Sequence, residues 1–210
     1  MTIKKLQNIV GVLKDWLLSI YLYEKGPENI PVFILNNINL VSLDSIRPFF
    51  AREKFIILTQ DDIKEWNDVF CLKLLHIKNH SKLFYGNDIL WDLPLKSSDL
   101  RSALELEIRN KHIQLREDFL SQDRGRDFLH HLLPGMQILR EWMLCLKDPS
   151  ITLPQDMKEL LSLFDIAWSC NSQNFYYLID DRVEDSKIPS LVDDVHQYLS
   201  QLCVKVNNYK

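Results

Sequence analysis

Apolar positions recur at two different periods along this chain, and the change of period falls near residue 97. Before it, short runs predominate. Ile3, Leu6, Ile9, Val10, Leu13 and Leu17 form a helical stripe. "LSIYLY" (18–23) then favours a strand, "EKGPEN" a turn and "IPVFIL" (30–35) a second buried strand, with Pro31 marking a strand start or an edge. Ser42 is placed to N-cap a short helix that Pro48 would limit. "KFIILT" (54–59) predicts a third strand, and "TQDD" has the form of a capping box opening a helix at Thr59. "NDVFCLKLLHIKNHSKLFYGND" (67–88) reads as a fourth strand with apolar alternation, then a basic segment and a Tyr-Gly turn.

After residue 97 the stripes lengthen. Leu100, Leu104, Ile108, Leu115 and Phe119 lie along one side of a helix that begins at a Ser/Asp cap. "RDFLHHLLPGMQILREWMLCLK" predicts a second long helix with a bend at Pro134-Gly135, and "DPSITLP" a linker. "QDMKELLSLFDIAW", "NFYYLIDDRV" and "PSLVDDVHQYLSQLCVKVNNY" predict three more, with Pro189 in the first turn of the last. Strands followed by a run of helices indicate an α+β fold. A small mixed sheet with flanking helices is expected over 1–95 and a helical bundle over 97–210.

Composition narrows the function classes. The chain has 210 residues, 46% of them apolar and only 5 glycines, enough to build a core. Its formal net charge of −4 argues against a general nucleic-acid binder. Cys71, Cys145, Cys170 and Cys203 include no C-x-x-C pair, and Cys71, Cys145 and Cys203 sit in apolar patterns, as reduced core thiols do. Lys14 and Asp15 interrupt the amino-terminal apolar run, which lacks a cleavage signal, and no stretch has a membrane span's length. A soluble cytoplasmic protein without membrane insertion is the expectation.

The run from Asp68 to Asp88 resembles a segment of bacterial proteins of the nucleotidyltransferase superfamily, which pair a minimal nucleotidyltransferase domain with a carboxy-terminal helical bundle. Asp68, Val69, Phe70, Leu72, Leu75, Ile77, Tyr85, Gly86 and Asp88 match that segment, and "LVDDVHQYLSQLCVKVNNY" resembles the family's closing helix. The likeness covers most of the chain from about residue 54. It implies a Gly-Ser pair after the first strand, an Asp-x-Asp pair on the next and a third carboxylate on a later one. Together these hold Mg²⁺ for phosphoryl transfer.

This sequence departs at each of those places. Glu24 and Lys25 stand where Gly-Ser is expected. The acidic pair falls either at Glu28 and Ile30 or at Asn37 and Asn39, and the third carboxylate at Lys73. A lysine there would repel a dication by several kcal/mol even at an effective dielectric of about 20. The alternative is a solvent-facing lysine on a half-buried strand, and neither version supports catalysis. The resemblance therefore implies a degenerate nucleotidyltransferase-like domain without cofactor.

Other sites are weaker. Arg126 and His131 have an Arg-x4-His spacing found in some helical ribonucleases, but a regular helix sets them about 140° apart. Adjacent His130 and His131 cannot chelate from one helix face. Asp180-Asp181 and Asp193-Asp194 read as solvated helix positions, and Cys170 has no base beside it. Trp168, Phe175, Tyr176 and Tyr177 are dense enough to serve either as core or as an exposed protein-binding patch. The expected function is an inactive adaptor or accessory subunit that binds protein partners in a heteromeric bacterial assembly, a secretion-related one being an example. An active or nucleotide-binding transferase is the alternative, and a helical ribonuclease the third reading.

Overall fold

The computed structural model describes residues 2–25, 28–38, 40–51, 53–65, 68–121, 126–180 and 182–209; the side chains of 25, 28, 40–42, 45 and 126–130 lie outside that description. The chain divides into two compact units, Met1–Lys96 and Ser97–Lys210. It is an α+β protein: a four-stranded mixed sheet with flanking helices, then a helical bundle.

The first unit runs α1 (Ile3–Leu13), β1 (Leu17–Lys25), β2 (Glu28–Leu35), α2 (Leu40–Phe50), β3 (Ile56–Thr59), α3 (Gln60–Glu65), α4 (Cys71–Asn79) and β4 (Ser81–Gly86). The sheet order is β3-β2-β1-β4. β1 is antiparallel to both β2 and β4, whereas β3 is parallel to β2 and is reached through the α2 crossover. Strand alternation divides the core between the two sheet faces. Ile20, Phe33 and Leu35 pack with Leu6, Ile9 and Leu13 of α1 and Ile46 and Phe50 of α2. Tyr21, Tyr23, Val32 and Ile34 pack with Ile63 of α3, Leu74 and Ile77 of α4, and Leu90 and Leu93. Pro31 precedes Val32, where pairing with β3 begins, so β2 is an edge on that side at Pro31. The capping box at Thr59 is formed in both directions. Asp62 N–H donates to Thr59 Oγ1 (2.9 Å) and Thr59 N–H to the Asp62 carboxylate (2.7 Å).

Three expectations are corrected. The stretch 71–79 is a helix, not a strand: Cys71, Leu74 and Leu75 are buried at helical spacing and Lys73 is exposed between them. Only Ser81–Gly86 of the quoted segment forms the strand β4. The helix expected to start after Ser42 and stop at Pro48 begins at Leu40 and continues to Phe50, with Pro48 inside its last turn. A proline near a helix end forfeits one backbone bond without breaking the turns before it. Leu17 belongs to β1 rather than to the first helix, and Ile3 is exposed.

The second unit contains α5 (Ser97–Ser121), α6 (Arg126–Lys147), α7 (Met157–Trp168), α8 (Gln173–Ile179) and, after a 3₁₀ turn, α9 (Ile188–Asn207). α6 packs against α5, α7, α8 and α9, and α9 lies along α5. α6 continues through Pro134 as one helix. Leu100, Leu104, Ile108 and Leu115 are buried as the α5 stripe predicts, while Phe119 is only half-buried. Asp156 caps α7, accepting from the N–H groups of Lys158 (2.9 Å) and Glu159 (3.0 Å). Among the described residues no strand follows Gly86, and no helix is long and apolar enough to cross a membrane.

Candidate protein-binding surface

The turn after β4 is exposed and fastened by side-chain hydrogen bonds. Tyr21, on β1, buries its ring and is 3% exposed. Its hydroxyl donates to Asp88 Oδ1 (2.9 Å) and accepts from Leu90 N–H (3.0 Å). Asp88 Oδ1 also accepts from Trp91 N–H (3.1 Å). Burial pushes the Tyr21 hydroxyl above the ordinary tyrosine pKa, so it remains a donor to the carboxylate. The turn starts at Gly86, whose φ of +83° brings the chain so close to β1 that a Cβ would collide with the Leu18 carbonyl.

With Leu90 anchored in the core, the next side chain points outward: Trp91 is 72% exposed. Lys78, in the last turn of α4, donates to the Trp91 carbonyl (2.8 Å) and holds its ammonium 5.5 Å from the indole centroid. Leu83 and Tyr85, on the strand leading into the turn, are exposed as well. The backbone from which the indole projects is held at both its N–H and its carbonyl, so the turn itself has little freedom to lose on docking. Burying the exposed part of a side chain that contributes about 250 Å² is worth up to about 4 kcal/mol at 25 cal/mol per Å².

No protein-family model matches the chain, and no curated protein matches it. Its own geometry therefore carries the functional reading.

Of the positions expected for a degenerate transferase site, Glu24, Lys25 and Glu28 fall at one end of the β1/β2 pair and Lys73 falls on α4. Glu24 is exposed at the end of β1, paired with Lys82 of β4 at 2.6 Å, and its N–H donates to the His80 carbonyl (2.8 Å). Lys25 and Glu28 are register partners at the end of β1 and β2 where the chain passes from one strand to the other, and their side chains lie outside the described residues. Lys73 sits in the first turn of α4, about 10 Å along the helix axis from His80 at 1.5 Å per residue. The expected strand position beside a metal does not exist there, so charge repulsion at Lys73 explains nothing. Ile30 is buried and Asn37 exposed, while Asn39 lies outside the described residues.

The carboxy-terminal aromatics are corrected in part. Trp168 is 5% and Phe175 3% exposed, so neither can anchor a partner without unfolding. Trp168 Nε1 donates to the Met143 carbonyl (3.1 Å) and its ring lies under Lys147. Phe175 is buried because the guanidinium of Arg140, itself buried, stacks on it at 4.1 Å; Arg140 Nε also donates to Tyr198 Oη (3.2 Å). Tyr176 is half-buried, its hydroxyl donating to the Lys158 carbonyl (3.4 Å), and Tyr177 is 46% exposed.

Among the rival sites, His131 is exposed, and the side chains of Arg126 and His130 lie outside the described residues, as does Asp181. Asp180 is paired with Lys158 (2.5 Å) and Arg182 (3.5 Å), and its hydrogen bond from Lys158 holds its carboxyl below the usual range. Asp193 accepts from Gln197 and Asp194 from Asn174, both at 2.8 Å. Cys170 is half-buried and burial pushes its thiol up, the reverse of what a nucleophilic thiolate needs.

Sequence reading missed Trp91. The available signal was "NDILWDLP", a tryptophan between Asp88 and Asp92 with Pro94 close behind, in a segment with neither helical nor strand period.

Proposed function

We propose that this chain is a non-catalytic protein-binding module, an adaptor or accessory subunit of a heteromeric assembly, which docks through the surface around Trp91 on its sheet-containing unit. The observation that supports this reading is a tryptophan 72% exposed on a turn fastened by Tyr21, Asp88 and Lys78. Tryptophan is the residue type most enriched among interface hot spots, and a turn braced by three side chains is pre-organised. Descent from a nucleotidyltransferase-like fold and a cytoplasmic, bacterial setting, with a secretion-related complex as one case, belong to the same proposal and rest on sequence resemblance. The transferase alternative draws no support from the site, because Glu24 is paired with Lys82 and Lys73 is on a helix.

Co-purification of untagged protein from its own cells identifies the partner, and calorimetry with Trp91→Ala tests the surface. The expected loss is at least tenfold, about 1.4 kcal/mol, with an unchanged far-ultraviolet spectrum. A change below twofold would refute docking at this turn. Titration with ATP or GTP and Mg²⁺ is expected to give no constant tighter than about 1 mM, near −4 kcal/mol. A micromolar constant abolished by EDTA would overturn the non-catalytic reading.

A further inference from the structure

The helix found where a strand was expected carries two histidines four residues apart. His76 is in the last turn of α4 and His80 caps it, donating its backbone N–H to the His76 carbonyl (3.1 Å). Residues at i and i+4 of a helix are surface neighbours, about 5–6 Å apart at Cβ. That is the spacing with which helical zinc sites present two imidazoles to one ion. Here the rings are already side by side, with centroids 4.4 Å apart and planes inclined by 50°. A nitrogen of one ring lies within 4.8 Å of a nitrogen of the other. Tyr23 meets the His76 ring edge-on at 5.6 Å, which restrains that ring.

We infer that His76 and His80 form a two-imidazole site for a borderline divalent ion of the first transition row, with zinc the ion of choice. Imidazole nitrogen suits zinc, copper and nickel and discriminates against magnesium and calcium, which prefer oxygen. At a Zn–N distance of about 2.0–2.1 Å and a tetrahedral angle, two ligand nitrogens stand about 3.3 Å apart. The pair must therefore close by at most about 1.5 Å, a distance that side-chain rotation can cover. Two imidazoles are fewer than the four ligands of a structural zinc site, so the site binds reversibly rather than holding the fold together. The competing account is packing: two stacked rings at a helix C-terminus, where the dipole favours positive charge. Packing alone predicts no saturable metal binding. The inference is independent of the docking proposal, because neither Tyr21, Asp88 nor Trp91 supplies a ligand.

The test is calorimetric titration of the full, tag-free, EDTA-stripped chain with zinc chloride at pH 7.5. One ion per chain is expected, with a constant on the order of 1–10 μM. His80→Gln should weaken it at least tenfold and His76→Gln similarly. His112→Gln, His131→Gln and Trp91→Ala should leave it within twofold. His80 is the primary substitution because His76→Gln also disturbs Tyr23. Far-ultraviolet spectra of both variants control for folding, and Co²⁺ absorption, lost in His80→Gln, reports nitrogen ligation directly. Absence of saturable zinc binding tighter than about 100 μM, or binding that survives both substitutions in folded protein, would overturn the inference.

Discussion

Replacing Tyr21 with phenylalanine isolates the hydroxyl that fastens the Trp91 turn. The ring is buried among Ile30, Val32, Leu74 and Ile77, and phenylalanine keeps that packing. What disappears is the oxygen between the Asp88 carboxylate (2.9 Å) and the Leu90 N–H (3.0 Å). The two partners respond differently. Asp88 is exposed, so water can replace the lost donor, and the net loss there is about 0.5 kcal/mol. The Leu90 amide belongs to a residue only 1% exposed, and a buried N–H left without an acceptor costs about 1–3 kcal/mol. The expected destabilisation is about 2 kcal/mol, less what is regained by no longer burying a hydroxyl, hence about 1.5 kcal/mol. With a urea m-value of about 1.5 kcal/mol per M, the midpoint falls by about 1 M. Hydrogen exchange over 87–95 should accelerate first at Leu90, because that amide loses its only acceptor in this network. A midpoint shift below about 0.3 M at unchanged m, with Leu90 still protected, would show that the hydroxyl contributes no net bond. Asp88→Asn closes the cycle: if the network acts as a unit, the double variant loses less than the sum of the singles. Since burial raises the Tyr21 pKa, its contribution is fully present below about pH 10 and is lost as pH rises through the raised value.

Phe175→Ala should destabilise the carboxy-terminal unit by about 3–5 kcal/mol in chemical denaturation, because it empties the space under Arg140, whereas Tyr177→Ala should stay within about 0.5 kcal/mol. Comparable small effects from both would place Phe175 at the surface. Burial lowers the pKa of His112, outweighing the opposing hydrogen bond between its Nε2 and the His196 carbonyl oxygen (2.8 Å). The unfolded chain therefore takes up the proton first, and stability should fall on acidification from about pH 6.5 until the lowered value is passed. His112→Gln should flatten that part of the urea-midpoint profile, and an unchanged slope would exclude His112 as its source.

What the sequence shows and what it hides divide along physical lines. Features decided within a few residues were legible. Thr59 and Asp62 cap each other as "TQDD" predicts, and Pro189 stands in the first turn of α9, whereas the expected Gly-Pro turn falls on residues 26–27, outside the described residues. The misread stretch is one where both periods fit the same letters. In "CLKLLHIKN" a period of two groups Cys71, Lys73, Leu75 and Ile77, while a period of 3.6 groups Cys71, Leu74, Leu75 and Lys78. Each stripe includes a lysine, so polarity alone does not choose. Composition does: apart from Ile77 the run has no β-branched residue, and leucine and lysine favour the helix. That error had a chemical consequence. On a strand His76 and His80 stand about 13 Å apart at about 3.3 Å per residue, too far for one ion, whereas on α4 their rings are 4.4 Å apart. The aromatics failed for a different reason. Trp91 and Trp168 are the same residue, and what separates 72% from 5% exposure is the tertiary position of Leu90, Tyr21 and Lys78 on one side and of Met143 and Lys147 on the other. A count of aromatics ranks the carboxy-terminal half first as a binding surface. The side chains that hold each ring decide its exposure instead, so Trp91→Ala tests the proposed docking surface, whereas Phe175→Ala tests the stability of the bundle.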